Sequence, residues 1–350
     1  MRFLRTLLVS LAVCAAAYLL AALYIDPGYE FLQRDRQPLD ANKGEICRLQ
    51  KLVLVQRYAA LGHGHIDGLI LGSSRVMKLP PTAFTTHGRV FNFGVPNAKN
   101  PDNLAAYRYV KSRFGAPHYL LIGLDVAAFN PIDYGPTEEL RAIKPLYTMI
   151  EQPKTFHDQL NTAQRVYSIN YALQMARTLP ALLRHADPAA AIPLRSAEYG
   201  YDPDGLIQYY DRDRTVAAGT YDWEKQYTDR LSVYLDVFKG MHGLAPEAKA
   251  SLETLLAEAM ADHARVHLWI TAFQPTADAT LSKETTYPQR LAELRTYLTD
   301  VARRYRVHLS DVLDGRRYGD PRQNWYDSVH PSPPGAARLA ALLQEDERGL

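Results

Sequence analysis

Leu69-Ile70-Leu71-Gly72-Ser73-Ser74-Arg75 is an apolar run that stops on a glycine and two hydroxyls. A short apolar run closed by a turn former reads as a strand buried on both faces, as in a parallel sheet. Residues 68–71, 90–93, 119–124, 266–270 and 306–309 share this character. Helical patterns separate most of them, at 102–114, 245–263 and 288–305, each with apolar residues three and four apart. Strands alternating with helices predict an α/β fold built on a five-stranded parallel sheet.

Working outward, the interval from about 130 to 225 breaks the rhythm. It carries several prolines, a helical stretch at 164–183 and a polar aromatic segment at 199–210. It reads as a largely helical insertion, or lid, over the sheet. A helix is expected at 46–61, within a stalk and lead-in of residues 26–64.

Residues 6–25, TLLVSLAVCAAAYLLAALYI, contain no charge. Twenty helical residues span about 30 Å, the thickness of a bilayer core. Arg2 and Arg5 precede the run, and Asp26 and Glu30 follow it. This asymmetry places the amino terminus in the cytoplasm and residues 65–350 outside it. The run is longer than a signal-peptide core and no small-x-small site closes it, so residues 1–25 are expected to remain as a single-pass anchor.

Of the 350 residues, 47% are hydrophobic and 22% charged, which excludes a disordered chain and a polytopic membrane protein. Forty Lys and Arg against 38 Asp and Glu leave a net charge of +2, with no nucleic-acid footprint. Two cysteines, Cys14 and Cys47, make no disulfide framework.

Gly72-Ser73-Ser74 lies where a parallel sheet forms its sites, at the carboxyl end of a strand, and a helix amino terminus is expected to follow it. Near the other end stands Asn324-Trp325-Tyr326-Asp327-Ser328-Val329-His330-Pro331, before the Pro-Gly-Ala-Ala stretch that opens the last helix. An aspartate and a histidine three apart make a compact unit. The carboxylate orients one ring nitrogen, and the other takes a proton from a serine.

With these two blocks the sequence resembles the SGNH or GDSL hydrolase superfamily, over about residues 69–343 with the insertion unmatched. The resemblance implies the flavodoxin-like three-layer α/β/α fold, Ser74 as nucleophile, His330 as base and Asp327 as its partner. Phe91-Asn92-Phe93-Gly94 matches the block that supplies a backbone N–H to an oxyanion hole, which implies Gly94 as donor. The Gly-x-Asn-Asp block is replaced by Gly123-Leu124-Asp125-Val126. An ionised aspartate cannot donate to an oxyanion. Either Asn97 or Asn100 replaces the missing amide, or the hole uses the N–H groups of Ser74 and Gly94. Arg75, Tyr209 and Trp223 are expected to touch substrate.

The Gly-Ser-Ser variant with an amino-terminal anchor is similar to extracytoplasmic SGNH-like proteins that accompany membrane-bound O-acyltransferases, in teichoic-acid D-alanylation and exopolysaccharide O-acetylation. That implies an esterase or O-acyltransferase acting on cell-envelope glycans in the periplasmic space, with a membrane-bound O-acyltransferase as partner. A glycan-binding scaffold and a phospholipid esterase are the alternatives. Serine acyl chemistry calls for no cofactor, and no metal is expected. His63 and His65 read as a solvated loop, Asp202-Pro203-Asp204-Gly205 as a turn, and Asp211-Arg212-Asp213-Arg214 as a solvated face.

Overall fold

The computed structural model describes residues 2–25, 43–62, 64–133, 135–150, 164, 166–183, 194–320 and 322–349. His63, residues 26–42 of the expected lead-in, and residues 151–163 and 184–193 of the expected insertion lie outside them. The chain runs α1 (Arg2–Ile25), α2 (Lys43–Leu61), β1 (Gly68–Leu71), β2 (Val90–Asn92), α3 (Asn100–Phe114), β3 (Tyr119–Leu124) and α4 (Ile169–Leu183). It continues with β4 (Gly200–Tyr201), β5 (Ile207–Gln208), α5 (Tyr210–Ala217), α6 (Trp223–Gly240), α7 (Pro246–Ala261) and β6 (Arg265–Ile270). The last elements are α8 (Pro275–Glu284), α9 (Tyr287–Tyr305), β7 (His308–Ser310) and α10 (Pro333–Arg348).

Packing divides the chain into two units, residues 1–49 with 139–193 and residues 50–138 with 194–350. In the first, Ala22 and Ile25 of α1 pack against Val166 and against Tyr171 and Met175 of α4. The Tyr18 hydroxyl donates to the Val166 carbonyl at 2.7 Å. Residues Arg5–Ile25, 21 in number and reaching a mean hydropathy of 2.3 along their most apolar stretch, are long and apolar enough to cross a membrane.

The second unit holds a five-stranded sheet, all parallel, in the order β2-β1-β3-β6-β7. Reading only these strands in chain order, this is the 2-1-3-4-5 flavodoxin-like winding. Register sorts the side chains. Ile70, Leu121 and Trp269 share one face and cluster with Leu339, Ala340 and Leu343 of α10. The alternate residues Leu69, Leu71, Leu120, Ile122, Val266 and Leu268 are buried on the other face. Three crossovers in one direction, through α3, α7 and α9, cover that face by the right-handed rule, and neighbouring helices there pack on one another. Apolar residues on both faces explain why the strands read as continuous runs.

The expected strand at 306–309 starts later, at His308. Arg306 closes α9 in the left-handed conformation with φ 53°, so the chain turns there before it can extend. The Asp202–Gly205 segment makes the expected turn, with the Gly205 N–H on the Asp202 carbonyl at 2.9 Å. That turn joins β4 to β5 and docks on β2, where the Asn92 N–H donates to the Asp204 carbonyl at 2.8 Å. Lys51, fully buried, donates to the carbonyls of Asn92 and Gly205 and fastens the two together.

Candidate active site

Ser74 follows β1 in a turn, not at the head of a helix as expected. Residues 74–78 form turn structure and the next helical residues are a 3₁₀ segment, Pro81–His87. The turn is held by the Val76 N–H on the Ser73 carbonyl at 3.1 Å and the Arg75 N–H on Ser73 Oγ at 3.3 Å. Ser73 is thus buried and occupied, while Ser74 stays half-buried with its hydroxyl turned outward to a histidine.

Three glycines at the ends of three adjacent strands make room for this turn. A Cβ on Gly72 would lie 2.9 Å from Val76 Cγ1, one on Gly94 2.6 Å from Val76 Cγ2, and one on Gly123 2.5 Å from Val76 Cγ1. Gly72 also has φ 141°, which side-chain-bearing residues avoid. Val76, fully buried two residues after Ser74, is the wedge that these glycines admit. Gly123→Ala also presses on Trp269 Cζ2 at 2.7 Å and is expected to cost about 1–3 kcal/mol in urea unfolding. Val76→Ala in the same chain should recover part of that loss, and no recovery would remove Val76 as its cause.

The second block reaches the site through a loop tied at both ends. The Ser332 N–H donates to the Asn324 carbonyl and the Tyr326 N–H to the His330 carbonyl, both at 2.9 Å. The Gln274 N–H holds the Ser328 carbonyl at 3.0 Å, anchoring the loop beyond the carboxyl end of β6. Within the loop, Asp327 Oδ1 accepts the N–H groups of Val329 and His330, each at 2.8 Å. Its other oxygen, Oδ2, lies 2.7 Å from His330 Nδ1. His330 Nε2 lies 2.9 Å from Ser74 Oγ.

Asp327 is 2% exposed. Burial alone would raise its pKa, but the charge and hydrogen bond of His330 and the two backbone donors outweigh that and hold the carboxyl down at about 2. An ionised Asp327 assigns the proton to His330 Nδ1 and leaves Nε2 as the acceptor for the Ser74 hydroxyl. The arrangement can move a proton from Ser74 to His330 while a carboxylate stabilises the imidazolium.

The remaining site residues fall out differently. The Gly94 N–H donates to Asn92 Oδ1 at 2.8 Å, so the expected oxyanion donor is occupied within its own strand end. Asn92, fully buried, also donates to the carbonyls of Val76 and Leu79 at 2.8 and 2.9 Å. It is a clamp on the Ser74 turn that the sequence reading passed over. Asn97 is exposed with φ 56°, and the Asn100 amide donates to the Ala248 carbonyl at 2.9 Å. The Ser74 N–H makes no hydrogen bond among the described residues.

Arg75, expected to touch substrate, is 3% exposed and faces inward. Its guanidinium lies over the rings of Phe273 and Tyr234, at 4.1 and 4.9 Å. Nη1 donates to Thr271 Oγ1 at 3.0 Å, Thr271 donates to Asp125, and Asp125 Oδ1 stands 3.7 Å from Arg75 Nε. The aspartate at the position of the missing asparagine is therefore the counter-ion of a buried arginine.

Tyr209 and Trp223 are half-buried. Lys78 and Arg212 stand 5.4 and 4.6 Å from the Tyr209 centroid, and Tyr326 meets it edge-on at 5.9 Å. Trp223 stacks on Tyr227 at 4.9 Å, with Arg322 5.4 Å from its ring, and donates to the Trp325 carbonyl at 3.1 Å. It borders a cavity of about 440 Å³ together with Tyr221, Arg322 and Tyr326, which neither Ser74 nor His330 lines. Asp211 and Arg214 pair on the surface as expected of a solvated face. Asp213 departs from that reading, because it accepts the Tyr326 hydroxyl beside the Asp327 loop.

No family model matches the chain, and no curated protein matches it. Two solved structures similar to it are a GDSL-like lipase from Bacteroides thetaiotaomicron and a putative acylhydrolase from Bacteroides fragilis. The first is 12% identical with a TM-score of 0.38, covering 85% of this chain and 99% of the other. The second is 13% identical with a TM-score of 0.38, covering 85% and 97%. At that similarity the chemistry of the site stands on its own atoms.

Proposed function

We propose that this chain is a membrane-anchored serine esterase or O-acyltransferase that works through an acyl-serine on Ser74. The observation that carries the reading is the hydrogen-bonded line Ser74 Oγ to His330 Nε2 and His330 Nδ1 to Asp327, at 2.9 and 2.7 Å. His330 removes the Ser74 proton as Oγ attacks an ester carbonyl, and the carbonyl oxygen becomes an oxyanion. The uncommitted Ser74 N–H is a donor within reach of that oxygen. Collapse expels the alcohol, which takes its proton from His330 and leaves the acyl group on Ser74. Water then releases the acid, or a second hydroxyl takes the acyl group.

The order of the Gly-Ser-Ser and Asp-x-x-His blocks supports acyl chemistry. The α1 anchor, with Arg2 and Arg5 at its amino-terminal end, supports an extracytoplasmic site, in a periplasm-like space beside the membrane. That placement favours acyl esters of envelope glycans, acetyl first among them, and a membrane-bound O-acyltransferase as donor partner.

The test is labelling of the full chain in detergent by a serine-directed fluorophosphonate, with p-nitrophenyl acetate hydrolysis alongside. Wild type should be labelled and active, and Ser74→Ala neither. Added acceptor oligosaccharide that diverts acetyl from water to sugar would select transferase over esterase. One observation favours a second reading, a glycan-binding scaffold. Gly94 and Asp125 are both committed to internal bonds, which leaves the oxyanion short of donors. A folded wild type that takes no label would transfer the weight to that reading.

A further inference from the structure

Beneath α10, on the sheet face away from α3, α7 and α9, two histidines stand side by side. Parallel register pairs His267 of β6 with His308 of β7, and Ser310 follows two residues later on the same face. The imidazole centroids are 4.5 Å apart. Asp346 of α10 reaches down to them, with Oδ2 2.8 Å from His308 Nε2. Ser310 Oγ lies 2.5 Å from His267 Nε2 and 3.2 Å from His308 Nε2, and donates to Asp346 Oδ2. Among the described residues, His267, His308 and Asp346 are the one group of three metal-ligating side chains whose donor atoms all lie within 4.8 Å of one another.

We propose that His267, His308, Asp346 and Ser310 form a divalent-metal site, with zinc the ion their donors fit. Two imidazole nitrogens and a carboxylate oxygen are a donor set that zinc takes at about 2.0–2.2 Å, and the serine hydroxyl or a water completes a tetrahedron. The parallel register of β6 and β7 already brings both rings side by side, so side-chain adjustment alone is needed to reach those distances. The neighbouring Arg265 pairs with Glu347 at 3.2 Å, which also holds His87 at 3.1 Å, so part of its charge is offset. The site is open to an entering ion through Asp346, whose side chain is 40% exposed, and His308, 15% exposed.

Such an ion would bind β6, the three-residue edge strand β7 and the last helix to one another. It would act as a staple toward the amino-terminal ends of the strands, separate from the Ser74 chemistry at their carboxyl ends. The inference does not depend on the acyl reading, and neither does its test.

Untagged full-length protein, stripped with chelator and dialysed, would be titrated with zinc chloride and followed by metal content and thermal unfolding. The expected result is about one zinc per chain and an unfolding temperature raised by about 5 °C at zinc near 100 times Kd. Asp346→Asn, which keeps the side-chain shape, and His308→Ala should each abolish both. His65→Ala, whose ring pairs instead with Asp67 at 3.0 Å, should leave both unchanged. Wild type that retains no zinc, or zinc that survives Asp346→Asn and is lost with His65→Ala, would overturn the proposal and leave a purely hydrogen-bonded cluster.

Discussion

Asp327→Asn is expected to lower kcat for ester hydrolysis by about 10⁴ while the protein stays folded. The argument turns on one proton. Asp327 accepts from Val329 N–H, His330 N–H and His330 Nδ1, and an asparagine oxygen can keep the two backbone donors. Its amide nitrogen must then face His330 Nδ1 and donate to it. That forces the ring proton onto Nε2, which faces Ser74 Oγ at 2.9 Å and can no longer accept. A 10⁴ loss corresponds to about 5.4 kcal/mol of transition-state stabilisation. Asp327→Ala would also remove the backbone acceptor, and should lose about 1–3 kcal/mol of stability as well as activity. Comparing kcat with thermal unfolding for the two variants separates the roles. Near-normal hydrolysis by Asp327→Asn would reduce Asp327 to a loop cap.

The strands were legible because both faces of a parallel sheet are buried, and short apolar runs such as Gly68–Leu71 and Tyr119–Leu124 have no other economical reading. The Asp327–His330 pairing was legible because it is local, three residues within one loop. Ser74 was joined to that pair only through the family resemblance, and contacts that depend on register or on distant partners outside those motifs were not legible. Asn92 looks like a strand residue until β2 ends beside the Val76 and Leu79 carbonyls. His267 and His308 lie 41 positions apart and meet only through the β6–β7 register, so no ligand spacing in the sequence brings them together. The expected helix after Ser74 failed for a steric reason. Val76 is wedged among three glycines, and the chain turns about it through bonds from the Val76 N–H to the Ser73 carbonyl and from the Leu79 N–H to the Val76 carbonyl, with Pro80 and Pro81 beyond.

Asp125→Ala is expected to destabilise the chain by about 3–5 kcal/mol, more than any surface change could. Arg75 is 3% exposed, held by aromatic rings and by Thr271, and has Asp125 as its ion-pair partner. Without Asp125 the guanidinium keeps its charge in a buried place, since arginine does not deprotonate in proteins. Escape would drag the Ser74 turn with it, so ester hydrolysis should fall together with the unfolding midpoint. Asp125→Asn restores the residue type of the resembled family and keeps an acceptor for the Thr271 hydroxyl, so its cost should be smaller. Removing both charges, as Arg75→Met with Asp125→Leu, should recover most of the stability, because a well-packed apolar pair replaces a buried ion pair at little cost. A double-mutant cycle on urea unfolding measures this coupling directly. If the single variants add without coupling, Asp125 is not the counter-ion of Arg75, and its place at the asparagine position needs another cause.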